Sequence, residues 1–348
     1  MLIDRNTFHL TKLVNRFKGL RSFQKKEPVN SSMPLEIVLE ITNHCNLDCI
    51  MCPRTNMTRS TGFMSLDLYK KIIDQVCGYA ELVYLSGGLG DPLLHPEFGK
   101  MIEYARKNSV RLAVSTNGTM LTKKNIDALL SAQPDFVLLP LDGASKEVVE
   151  QIRIGSNFET TMERVENFLI EKENRGLEVP YVNVAMVCMP LNEAEATAVK
   201  RKWGSYPAVN SVRLKKFLGL QGAKHVPDES DEEVNNSKSC FLPWRQLAIS
   251  WEGTVAVCCR DMDFKDPMGN VNNSPIEEIW NSEKFIKYRK CLSNGKKSEL
   301  EICKNCSGIK TNPLTLIGSV IFDDLTIRKI LPLLERVALM TGSTVTDY

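Results

Sequence analysis

Six short apolar runs, each separated from the next by a helix-length segment, restrict the folds open to this chain more than any other feature. They are LEIVLEI (35–41), ELVYLS (81–86), RLAVS (111–115), DFVLLPL (135–141), YVNVAMV (181–187) and SVRLKKF (211–217), with helical patterns starting near Ser65, Pro96, Thr122, Phe158 and Asn192. Strands that alternate with helices form a parallel sheet with right-handed crossovers. The expected fold is therefore α/β, a partial, open (β/α)6 TIM-like barrel over residues 35–218. Functional loops of parallel barrels leave the carboxyl ends of the strands, so the polar motifs at those ends are where chemistry is expected.

The first such motif, CNLDCIMCP, places thiols at Cys45, Cys49 and Cys52 in the spacing C-x3-C-x2-C. Three closely spaced thiolates suit three corners of a 4Fe-4S cubane and leave the fourth iron open to an exogenous ligand. A structural zinc site is the competing reading, with His44 as the nearest fourth ligand. The second motif, SGGLGDPLLHP, contains Gly87, Gly88 and Gly90, which let backbone approach a ligand with no Cβ in the way, followed by Asp91. STNGTML offers the polar groups of Ser115 and Asn117, and LDGASKEVVEQIR offers Asp142 and, a turn or more into the next helix, Arg153. On residue type alone the glycines could be a tight turn, Asp142 an acid near a helix start and Arg153 a solvated cation. Asn192 and Glu195 form a capping-box pattern that concerns stability only.

The cysteine spacing at the end of a first strand, with a glycine-rich loop one unit later, resembles the radical S-adenosylmethionine (radical SAM) superfamily. The resemblance implies that the open iron chelates the amino and carboxylate groups of SAM, and that one electron cleaves SAM to a 5′-deoxyadenosyl radical that abstracts hydrogen from substrate. It implies catalytic roles for Cys45, Cys49 and Cys52, with Met51 between them at the cofactor. The loop of Gly87, Gly88 and Gly90 would receive the methionine amino group, with Asp91 standing where the family has glutamate. Ser115 and Asn117 would face the ribose and carboxylate, Asp142 would contact the cofactor, and Arg153 would partner the methionine carboxylate.

Residues 219–239 are acidic and polar, as expected of a solvated linker or lid. Beyond them, Cys240, Cys258 and the pair Cys303-x2-Cys306, with Gly269-Asn270 and Ile279-Trp280, resemble the SPASM or twitch extension over 240–312. LAISW and TVAVCC would form a hairpin turning at Glu252 and Gly253. The resemblance implies an auxiliary 4Fe-4S cluster held by Cys240, Cys258, Cys303 and Cys306, with Cys259 or Cys291 as possible replacements; zinc competes here too. Six cysteines cannot supply two fully thiolate-ligated clusters, so one is expected. A tail over 313–348 carries an apolar stripe that could dock on the barrel, on a second copy or on a membrane surface.

Eleven cysteines without an opening signal peptide read as metal ligands in a cytoplasmic protein rather than disulfides. The formal charge of +2 provides no global field for gathering nucleic acid. No apolar run reaches the ~20 residues needed to span a bilayer. Residues 1–34 include a basic amphipathic segment, with Leu10, Leu13, Val14 and Phe17 on one stripe, suited to peripheral membrane contact, to a partner or to packing on the same molecule. That segment is too short for the peptide-recognition domain common in peptide-modifying relatives.

The expected activity is oxidation of a hydroxyl-bearing carbon on a sugar, cyclitol or other small-molecule or glycoconjugate substrate. An electron donor such as flavodoxin or ferredoxin would feed the first cluster, and the auxiliary cluster would accept the second electron. Peptide maturation, epimerisation, with Tyr84, Cys188 or Cys259 as hydrogen donor, and carbon-carbon bond formation are the enzymatic alternatives. A zinc-binding interaction protein is the alternative outside enzymes.

Overall fold

A computed structural model describes residues 10–85, 89–216, 240–304 and 306. The expected linker 219–239 and tail 313–348 lie outside the described residues, as do Gly87 and Gly88. The chain runs α1 (Leu10–Gln24), β1 (Glu36–Leu39), α2 (Leu66–Val76), β2 (Leu82–Leu85), α3 (Phe98–Lys107), β3 (Leu112–Ser115), α4 (Lys123–Ala132) and β4 (Phe136–Pro140). It continues with α5 (Lys146–Ile152), α6 (Phe158–Asn174), β5 (Tyr181–Cys188), α7 (Ala196–Gly204) and β6 (Val209–Lys216). After the undescribed segment come α8 (Leu242–Arg245), β7 (Gln246–Ile249), β8 (Thr254–Ala256), β9 (Gly269–Asn270), α9 (Ile276–Trp280) and α10 (Glu283–Ser293).

All strands join one sheet in the order β6-β5-β4-β3-β2-β1-β7-β8-β9, parallel from β6 through β7 and antiparallel beyond. The expected hairpin is β7-β8. It does not stand apart from the barrel, because β7 pairs with β1 residue by residue from Glu36↔Gln246 to Leu39↔Ile249. That pairing joins residues more than two hundred positions apart, which periodicity cannot reveal.

Alternation along each strand sorts the two faces. Ile37, Leu39, Val83, Leu85, Val114, Val137, Val184 and Met186 pack against Tyr69, Ile72, Met101, Leu129, Phe168 and Trp203 of the covering helices. The other face is the lumen: Leu82, Ala113 and Phe136 with Tyr181 close its lower end, and Val38, Tyr84, Ala248, Cys259 and Phe264 line one wall. Polar chemistry is thereby displaced to the carboxyl ends. The helices expected to start near Ser65 and Thr122 do so, and those hydroxyls cap them by accepting from Leu68 N and Asn125 N, each cap worth about 1 kcal/mol.

Two local expectations fail. Asn192 does not cap a helix: its side chain accepts from Met189 N and donates to the carbonyls of Asp142 and Val187. Glu195 turns away to accept from Ala144 N, Ser145 N and Ser145 Oγ at the start of α5, which burial of that turn would otherwise leave underserved. In α1 the apolar stripe is not the docked face. Asn15, Gly19 and Ser22 are buried, Asn15 bonding Met33 through both backbone groups, while Leu10 and Phe17 are 68% and 53% exposed.

Arg289 ties the amino-terminal segment to the cysteine-rich region. Fully buried, it donates to the carbonyls of Pro243, Pro28 and Trp280 and lies against the Trp280 ring. With no carboxylate paired to it among the described residues, burial pulls its pKa down to about 9. Among the described residues no helix is long and apolar enough to cross a membrane.

Candidate active site

The first cysteine loop is clamped at its base and pinned at its tip. At the base, Thr42 Oγ1 donates to Gly62 O (2.7 Å), Asn43 takes Gly62 N and gives its amide to Ser60 O, and Met64 N reaches Ile41 O. Phe63 stacks on His44. At the tip, Asp48 N donates to Ile154 O (2.8 Å) and Ile50 N to Ile152 O (3.0 Å), so the loop crosses from the end of β1 to the end of α5. Cys45, Cys49 and Cys52 are half-buried on it, Met51 likewise between them.

The three thiols are close enough to act on one another: the Cys52 sulfur opposes proton loss from Cys45, and the Cys45 and Cys52 sulfurs oppose it from Cys49. Burial pushes all three up, Cys49 to about 11, against the pull of Arg153 on Cys49 and Cys52 and of Arg54 on Cys45 and Cys52. Arg54 was not singled out from sequence; it donates to Leu47 O and Asp48 Oδ1 and sits just past the last thiol, a position with no motif of its own. Thiols raised by burial gain most from a bound metal centre, which removes their protons outright.

Gly90 lies flat on this loop. A Cβ there would come within 2.2 Å of Thr42 O and 2.8 Å of His44 O, and Asp91 N donates to His44 O (2.8 Å). The Asp91 carboxylate, close enough to Cys45 to oppose its ionisation, accepts from Leu93 N, Thr116 Oγ1 and Asn117 N at 2.7–2.9 Å and is 2% exposed. Its burial raises its pKa despite those donors. Asp91 thus braces the glycine loop against the end of β3, and its backbone is the part that meets the cysteine loop.

Ser115 closes β3, half-buried. Asn117 points into the cysteine loop, its amide donating to Cys45 Sγ (3.7 Å) and Asn46 Oδ1 (3.2 Å), while Thr119 donates to its carbonyl oxygen. Asp142, fully buried, accepts from Val187 N (2.8 Å) and from Arg153 Nη2 (2.5 Å). Arg153 is the residue that ends α5 rather than one inside it, and its Nε has no hydrogen-bond partner among the described residues. Burial opposes its charge, but Asp142 and the Cys49 sulfur hold its pKa up. An orphaned, buried donor beside three thiols suits an anionic group such as an amino-acid carboxylate.

The second cysteine set also converges. Cys258, buried at the end of the hairpin, acts on Cys240 and Cys303, and Cys303 acts on Cys240 and Cys306. Burial raises Cys258 strongly and Cys303 to about 12. Of the two alternates, Cys291 turns to Glu299 (3.9 Å), while Cys259, on the lumen wall beside Tyr84, also acts on Cys258 and is acted on by Cys240. Among the described residues no three His, Cys, Asp or Glu side chains converge on a single-ion site. That is no obstacle to a cubane, whose thiolates sit at separate corners.

Comparison with known proteins gives two family models: the Radical SAM superfamily over residues 39–201 and an iron-sulfur cluster-binding domain, SPASM, over 240–307. Among curated proteins, the chain is 24% identical over 329 residues to a tungsten-containing aldehyde ferredoxin oxidoreductase cofactor-modifying protein of Pyrococcus furiosus, covering 81% of this chain and 92% of that one. It is 24% identical over 286 residues to an S-adenosyl-L-methionine-dependent 2-deoxy-scyllo-inosamine dehydrogenase of Niallia circulans, covering 78% and 92%. A crystal structure of BtrN in complex with AdoMet and 2-DOIA superposes with a TM-score of 0.54 at 20% identity, covering 80% of this chain and 94% of that one, a likeness of fold.

Proposed function

Because the chain belongs to the radical SAM superfamily and carries a SPASM iron-sulfur domain, an enzyme using SAM and 4Fe-4S clusters, we propose that it oxidises a hydroxyl-bearing carbon of a cyclitol, sugar or glycoconjugate. The observation that carries this reading is the convergence of Cys240, Cys258, Cys303 and Cys306. Four thiolates complete a cubane's protein ligation, so that centre has no corner for SAM and suits electron acceptance. Likeness over nine-tenths of its length to a dehydrogenase of an aminocyclitol supports the same choice. When bound, the cofactors supply reductive cleavage of SAM, abstraction of the carbinol hydrogen and uptake of the second electron, with a proton released as the carbonyl forms.

The chain's own residues supply place and exclusion. Cys45, Cys49 and Cys52 hold the first cluster. Gly90 leaves room for the glycine loop to lie against it, and Arg153, kept charged by Asp142, offers its free Nε to the methionine carboxylate. Asn117 steadies Cys45. Leu82, Ala113 and Phe136, buried together at the floor of the lumen, would keep water from the space where substrate and SAM meet. An external one-electron donor of the flavodoxin or ferredoxin type would reduce the first centre.

The test is anaerobic reconstitution with SAM, a reductant and a panel of cyclitols and sugars deuterated at single carbinol carbons. Deuterium in 5′-deoxyadenosine together with a ketone product is expected. SAM cleavage without deuterium transfer from any member would overturn the substrate class. Modification of another enzyme's cofactor, favoured by the Pyrococcus furiosus likeness, would then be the reading to pursue.

A further inference from the structure

A buried ion pair joins the two cysteine regions at the carboxyl ends of the strands. Glu40, the residue after β1, is 1% exposed and accepts from both ends of the Arg59 fork, Nη1 at 2.6 Å and Nη2 at 2.5 Å. Arg59 lies on the return of the first cysteine loop. Its Nε and Nη2 also donate to Met262 O, at 3.2 and 3.0 Å, and the Phe264 ring covers its face at 4.8 Å. Beside it, Thr58 N and Oγ1 donate to the Asp263 carboxylate at 3.0 and 2.6 Å.

Met262 belongs to a stiff turn that starts at Cys258. Asp261 N bonds Cys258 O, Phe264 N bonds Asp261 O, and the Asp261 carboxylate accepts from Lys265 N and Asp266 N. A shift at Met262 is therefore carried to Cys258. Elsewhere the two regions are joined by the β1-β7 ladder, by Lys71 Nζ donating to Val271 O (2.7 Å) and by Ile276 N donating to Gln75 Oε1 (2.9 Å). The guanidinium adds an attachment on the side where the thiols lie. A buried charge pair is a weak source of stability but a directional one, because the planar fork accepts few geometries.

We propose that Arg59, anchored by Glu40, is a positioning residue that locks the Cys258 loop onto the SAM-site loop and so sets the separation of the two iron-sulfur centres. The geometry stands by itself; its catalytic value rests on the proposed electron transfer between them. No contact of Arg59 with substrate or SAM is required.

Arg59→Lys tests this, because lysine still neutralises Glu40 but offers a point charge that cannot also bridge to Met262. In the reconstituted holoenzyme, hydrogen-deuterium exchange at residues 259–264 should rise about tenfold as the guanidinium's two hydrogen bonds to Met262 O are lost. The electron paramagnetic resonance signal of the reduced auxiliary cluster should change, with iron content held. Thr58→Val combined with Asp263→Asn keeps the Glu40 pair but removes the second carboxylate, 3.9 Å from Arg59 Nε, and should shift both readouts the same way; it decides the matter if Arg59→Lys does not load iron. Wild-type exchange and an unchanged signal in these variants would overturn the proposal. Neither readout needs substrate, so an error in the substrate class leaves the test intact.

Discussion

Replacing Gly90 by alanine places one methyl group where the structure has backbone on three sides. The added carbon would meet Thr42 O at 2.2 Å, Asn43 Cα at 2.7 Å and His44 O at 2.8 Å. None of these is the far end of a flexible side chain, so the cysteine loop itself must move. Overpacking of this kind costs about 1–3 kcal/mol, and losing the Asp91 N to His44 O bond adds about 1 kcal/mol. A penalty of about 3 kcal/mol lowers the population of the native loop roughly a hundredfold. Gly78→Ala is the control, since a Cβ there meets nothing within 4 Å. After anaerobic reconstitution, Gly90→Ala should lose the iron of the first cluster and with it 5′-deoxyadenosine formation, while Gly78→Ala keeps both. Equal iron content and equal SAM cleavage in the two variants would refute the claim that the glycine loop is seated on the cysteine loop.

His95 provides a pH test. Its Nδ1 accepts from Glu97 N and its Nε2 donates to Met64 O, a pattern only the neutral ring can make, and burial lowers its pKa below 6.5. The folded state then binds fewer protons than the unfolded, so its contribution is present above pH 6.5 and lost as pH falls through the folded value; urea midpoints from about pH 7.5 to 5 should drop more steeply for wild type than for His95→Gln. Asn117→Leu removes the amide from Cys45 Sγ and should lower the potential of the first cluster by roughly 40 mV, read by spectroelectrochemistry; an unchanged potential would remove that bond from the account. The outward face of α1, with Leu10, Val14 and Phe17 beside Lys18 and Arg21, should carry the protein down with phosphatidylserine vesicles at low salt and fail to do so in Phe17→Glu; wild type left in the supernatant would end the idea of membrane contact.

The parallel strands were legible because each is a short apolar run bounded by turn residues, and Ser65 and Thr122 announced their helices by chemistry local to a few positions. The first cysteine group was legible for the same reason, since the spacing of Cys45, Cys49 and Cys52 lies within one loop, whereas Cys240, Cys258, Cys303 and Cys306 are scattered along the chain and were grouped through the family resemblance. What stayed hidden depends on distant partners. Glu195 looked like part of a cap on its own helix but serves α5, and nothing local to Asp91 announces that its carboxylate braces the end of β3. Of the readings open for the α1 stripe, packing on the same molecule fails because Asn15 and Ser22 find backbone and hydroxyl partners that make their burial inexpensive. Glu40 and Arg59 belong to no motif, and only the fold brings them together with Met262.

The pairing of β7 with β1 also has a consequence for biosynthesis. While the chain leaves the ribosome, the first strand of the sheet acquires β2 early, but its other margin stays bare until Gln246–Ile249 emerge. For most of translation the nascent protein thus presents an unpaired edge next to the cysteine loop that must receive iron, a stage exposed to intermolecular strand pairing. Truncation before residue 246 should leave that margin permanently bare, so such fragments are expected to associate through it rather than persist as isolated barrels.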